Sequence, residues 1–178
     1  MMVELRTVSR VLEYFHLPLQ HSPDVLRDVY LEVSGSCDFD NFIRIPGGAR
    51  LESAAAENSA RSTVSFLKDR ITFQEEQSSA SLDILVRRIE ATLAVAVEKC
   101  GIPLFVARNI TYRAVCPTPG GLHASAFLQQ NFFDLTPAHF EGFERPGALV
   151  GFRMQFPPKN PTQEPLHQVR IEAYLKDP

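Results

Sequence analysis

Tryptophan is absent from this 178-residue chain, and only three cysteines occur. Long apolar runs are missing as well, since the longest span about five residues while a membrane-spanning helix needs about 20. The first six residues carry charges and lack the apolar core of a secretory signal. Cys37, Cys100 and Cys116 show no CxxC spacing, and an odd number of cysteines without a signal is typical of reduced thiols. These absences predict a cytoplasmic protein without a membrane partner.

A basic footprint and metal-binding motifs are also lacking. The net charge is −3 and no four basic residues follow one another, whereas nucleic-acid binding requires cations that neutralise phosphates. We therefore predict no nucleic-acid partner. The segment 38–49 lacks the glycine and the final glutamate of a calcium loop. The histidines follow neither HxH nor HExxH spacing, and the sequence thus indicates no metal and no cofactor.

The clearest secondary-structure signal in the chain lies in residues 82–100. Its apolar residues recur at the three-and-four spacing of one helical face. Ser81 is placed to cap the N-terminus, and Gly101 followed by Pro103 ends the pattern. We predict one long helix here. Arg87 and Arg88 are expected on its outer, solvated face.

A β-hairpin is predicted between residues 62 and 76. The apolar pairs Val64/Phe66 and Ile71/Phe73 have opposite parity, so a single straight strand would place them on opposite faces. A turn at 68–69 instead sets Phe66 against Ile71 and Val64 against Phe73, with all four on one face. The same register brings Arg61 opposite Glu76.

The remaining periodicities complete a predicted α+β fold. Consecutive strands favour an antiparallel or mixed curved sheet of about six to eight strands, packed against the one long helix (about 82–100), in a single domain spanning 1–178. The other predicted elements are an N-terminal helix over 3–16, strands over 28–34, 42–45, 49–53 and 104–116, two short helices between 124 and 144, and a C-terminal hairpin of 150–156 with 169–175.

Arg108 interrupts the apolar, even-numbered face of the strand 104–116, which also carries Tyr112. A guanidinium on a buried face must be paired or face a cavity, so Arg108 could bind a carboxylate or phosphate. Alternatively, it reaches solvent or pairs with a structural carboxylate. Gly120 and Gly121 precede a helix start, where backbone N–H groups can hold an anion, although two glycines beside prolines also form an ordinary turn. The predicted ligand-binding residues are Arg108, Tyr112, Gly120 and Gly121.

Cys116 and His123 flank the same loop, and a Cys–His nucleophile pair is conceivable there. The alternative is that Cys116, which lies on the predicted buried face, is a small buried hydrophobe. Phenylalanines concentrate in the following region, where they suggest core packing, an oligomer interface or the wall of a lipophilic pocket. They are Phe127, Phe132, Phe133, Phe140 and Phe143.

The sequence shows no complete catalytic motif. The function we predict from it is a non-catalytic small-molecule-binding or protein-interaction module. One alternative is a small enzyme that uses Cys116 and His123 on an anionic substrate. A further alternative is a subunit whose function is interaction alone, such as a homodimer formed through an exposed strand edge or through the short Phe-rich helices.

Overall fold

The computed structural model describes residues 6–53, 61–77, 81–118, 120, 122–133, 136–143 and 148–173. The chain divides after Cys116 into two compact units. No helix in the described part of the chain is long and apolar enough to cross a membrane.

The first unit is a six-stranded sheet with two helices. Its strands lie in the order β2-β3-β4-β5-β1-β6, and every neighbouring pair is antiparallel. The α+β class and the antiparallel sheet are therefore confirmed. The elements are β1 (Arg6–His16), α1 (Pro23–Cys37), β2 (Asn41–Ile45), β3 (Gly48–Glu52), β4 (Arg61–Phe66), β5 (Arg70–Glu76), α2 (Leu82–Cys100) and β6 (Phe105–Val115).

The second unit contains α3 (Ala124–Phe132), a 3-10 segment (Pro137–Phe143), β7 (Gly151–Phe156) and β8 (His167–Glu172). The two strands form their own antiparallel sheet, in which Phe152 faces Ile171. The rings of Phe132 and Phe133 lie 5.2 and 5.3 Å from that of Phe152. The prediction of two short helices does not hold in that form, because only the first is an α-helix and the second is a 3-10 segment.

The hairpin of β4 and β5 has the predicted register. Phe66 lies opposite Ile71, Val64 opposite Phe73, and Arg61 opposite Glu76. The four apolar side chains are almost fully buried. Burial of one face thus selects the register, since a slip by one residue would place Val64 and Phe66 on the face opposite to Ile71 and Phe73.

The long helix α2 has the predicted ends. Ser81 Oγ accepts a hydrogen bond from the backbone N–H of Ile84 at 3.4 Å. Gly101 has φ +64°, and its N–H donates to the carbonyl oxygen of Val97. This left-handed cap satisfies a carbonyl group that the last turn leaves without a partner.

The N-terminal helix predicted over 3–16 is wrong in the part that the structure describes, because residues 6–16 form β1. This strand pairs with β5 on one side and β6 on the other. Leu12 and Tyr14 pack against the core from alternate positions. Strand pairing on both sides overrides the helical spacing of the apolar residues, many of which are also good strand formers.

The strand predicted over 28–34 is also wrong, because these residues belong to α1. The buried residues of α1 follow a three-and-four spacing that extends beyond the short alternating window, while Leu31 is 62% exposed. They are Leu26, Val29, Val33 and Cys37. Two helices therefore cover the sheet instead of the predicted one.

A single apolar core fills the space between these helices and the sheet. α1 contacts β2 and β3, whereas α2 packs against α1. Arg88 of α2 reaches Ser62 on β4 and Glu75 on β5. The helical layer therefore covers the β2–β5 side of the sheet and leaves the β6 end open.

Candidate functional site at the edge strand

The strand β6 is eleven residues long and forms one end of the six-stranded sheet. Within the described ranges its only strand neighbour is β1. An outer strand carries backbone N–H and C=O groups that no neighbouring strand satisfies, and these groups can pair with another chain. The other outer strand, β2, has five residues, so β6 is the longer of the two and can pair with a longer extended segment.

The register with β1 shows which face of β6 each side chain occupies. Ile110 lies opposite Leu12, Arg108 opposite Tyr14, and Tyr112 opposite Arg10. Directly opposed residues of an antiparallel pair point to the same face. Because Leu12 and Tyr14 pack against the core, Arg108, Ile110 and Tyr112 lie on the helix side of the sheet.

This helix-side face of β6 is nevertheless open to solvent. Ile110 is 59% exposed and Tyr112 is 54% exposed. Phe105, at the start of the strand, packs against the core, but the residues after it are mostly exposed. The buried face predicted for this strand is wrong, because the sheet is wider than the layer of helices that covers it.

One flank of α2 adds further apolar surface. Leu82, Val86 and Val97 recur at helical spacing and are all exposed. Arg88 and Lys99 on another side of the helix form ion pairs with Asp38 at the end of α1 and with Glu32 on α1. The exposed flank therefore lies on a different side of α2 from the residues that contact α1.

The charge on β6 is of one sign. Arg108 and Arg113 are its ionised side chains, and residues 104–116 contain no aspartate or glutamate. Both arginines are exposed, and neither guanidinium group has a hydrogen-bond or ion-pair partner among the described residues. The Tyr112 hydroxyl lies 2.6 Å from Thr7 Oγ1, and this hydrogen bond ties the Tyr112 side chain to β1. We call Arg108, Ile110, Tyr112 and Arg113 the β6 edge.

The predicted ligand-binding residues fall in different units. Arg108 and Tyr112 belong to the first unit and both belong to the β6 edge. Gly120 belongs to the second unit and has φ +66°, a conformation that suits glycine in a turn. Gly121 lies outside the described residues. Anion binding by these glycines stays a prediction.

The proposed nucleophile pair also spans the division of the chain. Cys116 ends the first unit, and His123 lies in the second. His123 Nδ1 is 2.7 Å from Ser125 Oγ. Cys116 is exposed, so its expected role as a buried hydrophobe is wrong. Enzymatic use of the pair stays a prediction.

Arg88 corrects another expectation, because its side chain is only 17% exposed and does not lie on a solvated outer face. Its Nη1 donates to Ser62 Oγ at 3.1 Å, and its Nη2 lies 2.8 Å from Asp38 Oδ2. Ser62 Oγ in turn donates to the buried carboxylate of Glu75 at 3.2 Å. The alternation of Ile71, Phe73 and Glu75 along β5 was a signal that could have placed this carboxylate on the buried face.

Burial also affects two titratable groups of the first unit. It raises the pKa of the Cys100 thiol to about 11. Burial likewise lowers the pKa of His21, although the hydrogen bond from this ring to the Leu67 carbonyl acts in the opposite direction.

Comparison of this chain with protein-family models, with curated proteins and with solved structures finds no match.

Proposed function

We propose that this protein is a protein-interaction module, and that it binds an extended segment of a partner protein along the open edge of β6. The observation that carries this proposal is an eleven-residue outer strand whose helix-side residues Ile110 and Tyr112 are exposed. Such strand addition obtains affinity from main-chain hydrogen bonds and specificity from alternate side chains.

The open face of β6 favours this function over a small-molecule site. A small-molecule pocket is concave and buries most of its ligand. Arg108 and Tyr112 instead lie on an exposed strand, outside the apolar core between the helices and the sheet. A partner strand would satisfy the backbone groups of β6, and its side chains would cover Ile110.

The exposed flank of α2 can contribute to the same surface. A strand added beside β6 would extend the sheet by about 5 Å, and side chains on its helix side would point into the space beside α2. Leu82, Val86 and Val97 are exposed apolar residues of α2 that the partner could reach. Apolar side chains of the partner could then contact both the sheet and the helix.

Selection from a library of random linear peptides displayed on phage tests this function. We expect selection on the unmodified full chain to enrich peptides that bind it. The same peptides should not bind the Ile110→Asp variant. Leu31→Asp is the matched control, because Leu31 is an equally exposed apolar residue on α1. Peptides that bind both variants as well as they bind the unmodified chain, or no enrichment at all, would overturn the proposal.

A further inference from the structure

We propose that the occupant of the β6 edge is an antiparallel segment of another protein that carries two acidic residues five positions apart, with apolar residues at two alternating positions between them. This inference rests on the proposed function and specifies the chemistry of the partner. Three features of β6 support it, namely its unpaired positive charge, the spacing of its arginines and the direction of its existing pairing.

The positive charge argues for an acidic partner and against a second copy of the chain. Arg108 and Arg113 give the segment 104–116 a formal charge of +2, and no described carboxylate neutralises either of them. Two copies paired edge to edge would place four arginines and no carboxylate of the segment 104–116 along one strand pair, and this excess of like charge is unfavourable. An acidic strand would form charge-assisted hydrogen bonds with both guanidinium groups.

The spacing of the arginines fixes where the acidic residues stand. Arg108 lies on the helix side with Ile110 and Tyr112, whereas Arg113 has odd parity and lies on the other face. Opposed residues share a face, so one acidic residue must stand opposite Arg113 and the other opposite Arg108. The positions opposite Tyr112 and Ile110 then fall on the helix side and must be apolar.

The direction of the partner strand decides the order of its residues. Every strand pair in this sheet is antiparallel, and antiparallel pairing is slightly more stable per residue than parallel pairing. An antiparallel partner reads, from its N-terminus, acidic, apolar, polar, apolar, polar, acidic. A parallel partner would require the reverse order, which is acidic, polar, apolar, polar, apolar, acidic.

The test uses two synthetic peptides of identical composition. The core of the first is Glu-Val-Thr-Val-Thr-Glu and the core of the second is its reversal, Glu-Thr-Val-Thr-Val-Glu, each flanked by Gly and Ser and labelled with fluorescein. Fluorescence anisotropy with the full chain should show that the first peptide binds at least about tenfold more tightly than the second. In antiparallel pairing the valines of the first peptide fall on the helix side, whereas those of the second fall on the other face. Equal affinities, or tighter binding of the second peptide, would overturn the antiparallel assignment.

Replacing charges tests the acidic requirement. Arg108→Gln and Arg113→Gln should each weaken binding of the first peptide about three- to tenfold. Arg87→Gln is the control and should leave this binding unchanged, because Arg87 is an exposed arginine on α2. Raising the salt concentration from about 20 mM to about 500 mM should weaken binding to the unmodified chain and have less effect on the two Gln variants. A version of the peptide with Gln in place of both Glu that binds equally well would overturn the acidic assignment.

These outcomes separate the inference from the proposed function. Peptides selected from the random library that require Ile110 but carry no acidic residues would support strand addition and overturn this inference. Analytical ultracentrifugation of the full chain tests whether a second copy of the chain occupies the β6 edge instead. A dimer that Ile110→Asp abolishes would show that a second copy occupies the edge, which also overturns the inference.

Discussion

Arg88 on α2 lies 3.8 Å from Glu75 on β5, measured from Nη1 to Oε1, and the hydroxyl of Ser62 bridges the two side chains. The Glu75 side chain is only 3% exposed. Arg10 Nη1 lies 3.5 Å from its other oxygen. Two strands and a helix therefore share one buried carboxylate, which would be costly to bury without these partners.

Replacing Arg88 by Met should destabilise the first unit by about 2 kcal/mol, because it leaves the buried carboxylate with Arg10 and Ser62 alone. The cost is below that of a fully buried pair, since Arg10 remains and Arg88 is partly exposed. Arg87→Met is the control and should change stability by less than about 0.5 kcal/mol, because Arg87 is exposed. Urea denaturation followed by circular dichroism measures both, and equal losses would contradict this role of Arg88.

Two glycines should respond to alanine with opposite signs. A Cβ atom at Gly48 would lie 1.7 Å from the carbonyl oxygen of Phe66 on the neighbouring strand, so Gly48→Ala should cost at least about 3 kcal/mol. Gly35 lies on the exposed side of α1, and a Cβ there meets nothing within 4 Å. Gly35→Ala should therefore stabilise the protein by about 0.5–1 kcal/mol, because alanine is the better helix former. Thermal unfolding checks both changes, and a gain at Gly48 would contradict the β3–β4 geometry.

Acidification should destabilise the first unit in part through His21. The ring Nε2 donates to the Leu67 carbonyl at 3.1 Å and the ring packs edge-on to His16, with centroids 5.6 Å apart. Burial, and secondarily His16, lower the pKa of His21 below 6.5, while the hydrogen bond to Leu67 opposes them. The unfolded chain thus binds the proton more readily, so the contribution is complete above pH 6.5 and is lost as pH falls through the lowered value.

His21→Gln isolates this effect, because glutamine can still donate to the Leu67 carbonyl but does not titrate. Urea titrations at about pH 7.5 and about pH 5 should show a smaller loss of stability in the variant than in the unmodified chain. His139→Gln is the control, because His139 lies exposed in the second unit. Equal pH dependence in His21→Gln and the unmodified chain would show that another group carries the effect.

Ile110→Asp should leave the stability of the first unit within about 0.5 kcal/mol of its original value, because the side chain is already 59% exposed. Phe66→Ala offers the contrast. Phe66 is fully buried, so its truncation should cost about 3–5 kcal/mol. Chemical denaturation of both variants would show that Ile110 can be changed in binding experiments without unfolding the protein. A large loss at Ile110 would mean that its side chain is covered in solution.

The sequence could predict the elements whose signals are local and consistent. Ser81 and Gly101 bound α2 because capping residues and apolar spacing agree there, and the parity switch between Phe66 and Ile71 defines the β4–β5 hairpin. The strand 6–16 could not be recognised in the same way. Its apolar spacing also fits a helix, and only pairing with strands more than 50 residues away decides the outcome.

The candidate site was predictable only in part. The sequence predicts Arg108 and Tyr112 as ligand-binding residues of one strand, but their exposure depends on how far the helical layer extends over the sheet. That extent is set by tertiary packing, because α1 lies over β2 and β3 and α2 packs against it. No local pattern within residues 104–116 distinguishes a covered central strand from an open outer strand, since both can alternate apolar and polar residues.

The three cysteines should differ sharply in reactivity with a thiol reagent such as DTNB. Cys116 is exposed and should react first, whereas Cys37 is buried. Burial raises the pKa of Cys100 to about 11, so roughly 0.1% of it is the reactive thiolate at pH 8. We expect one fast-reacting thiol in the native protein and three after denaturation in guanidinium chloride. Cys116→Ser should remove the fast phase, while Cys100→Ser should not. A fast phase of one thiol that Cys116→Ser leaves unchanged would contradict the exposed position of Cys116, since the fast thiol would then be Cys37 or Cys100.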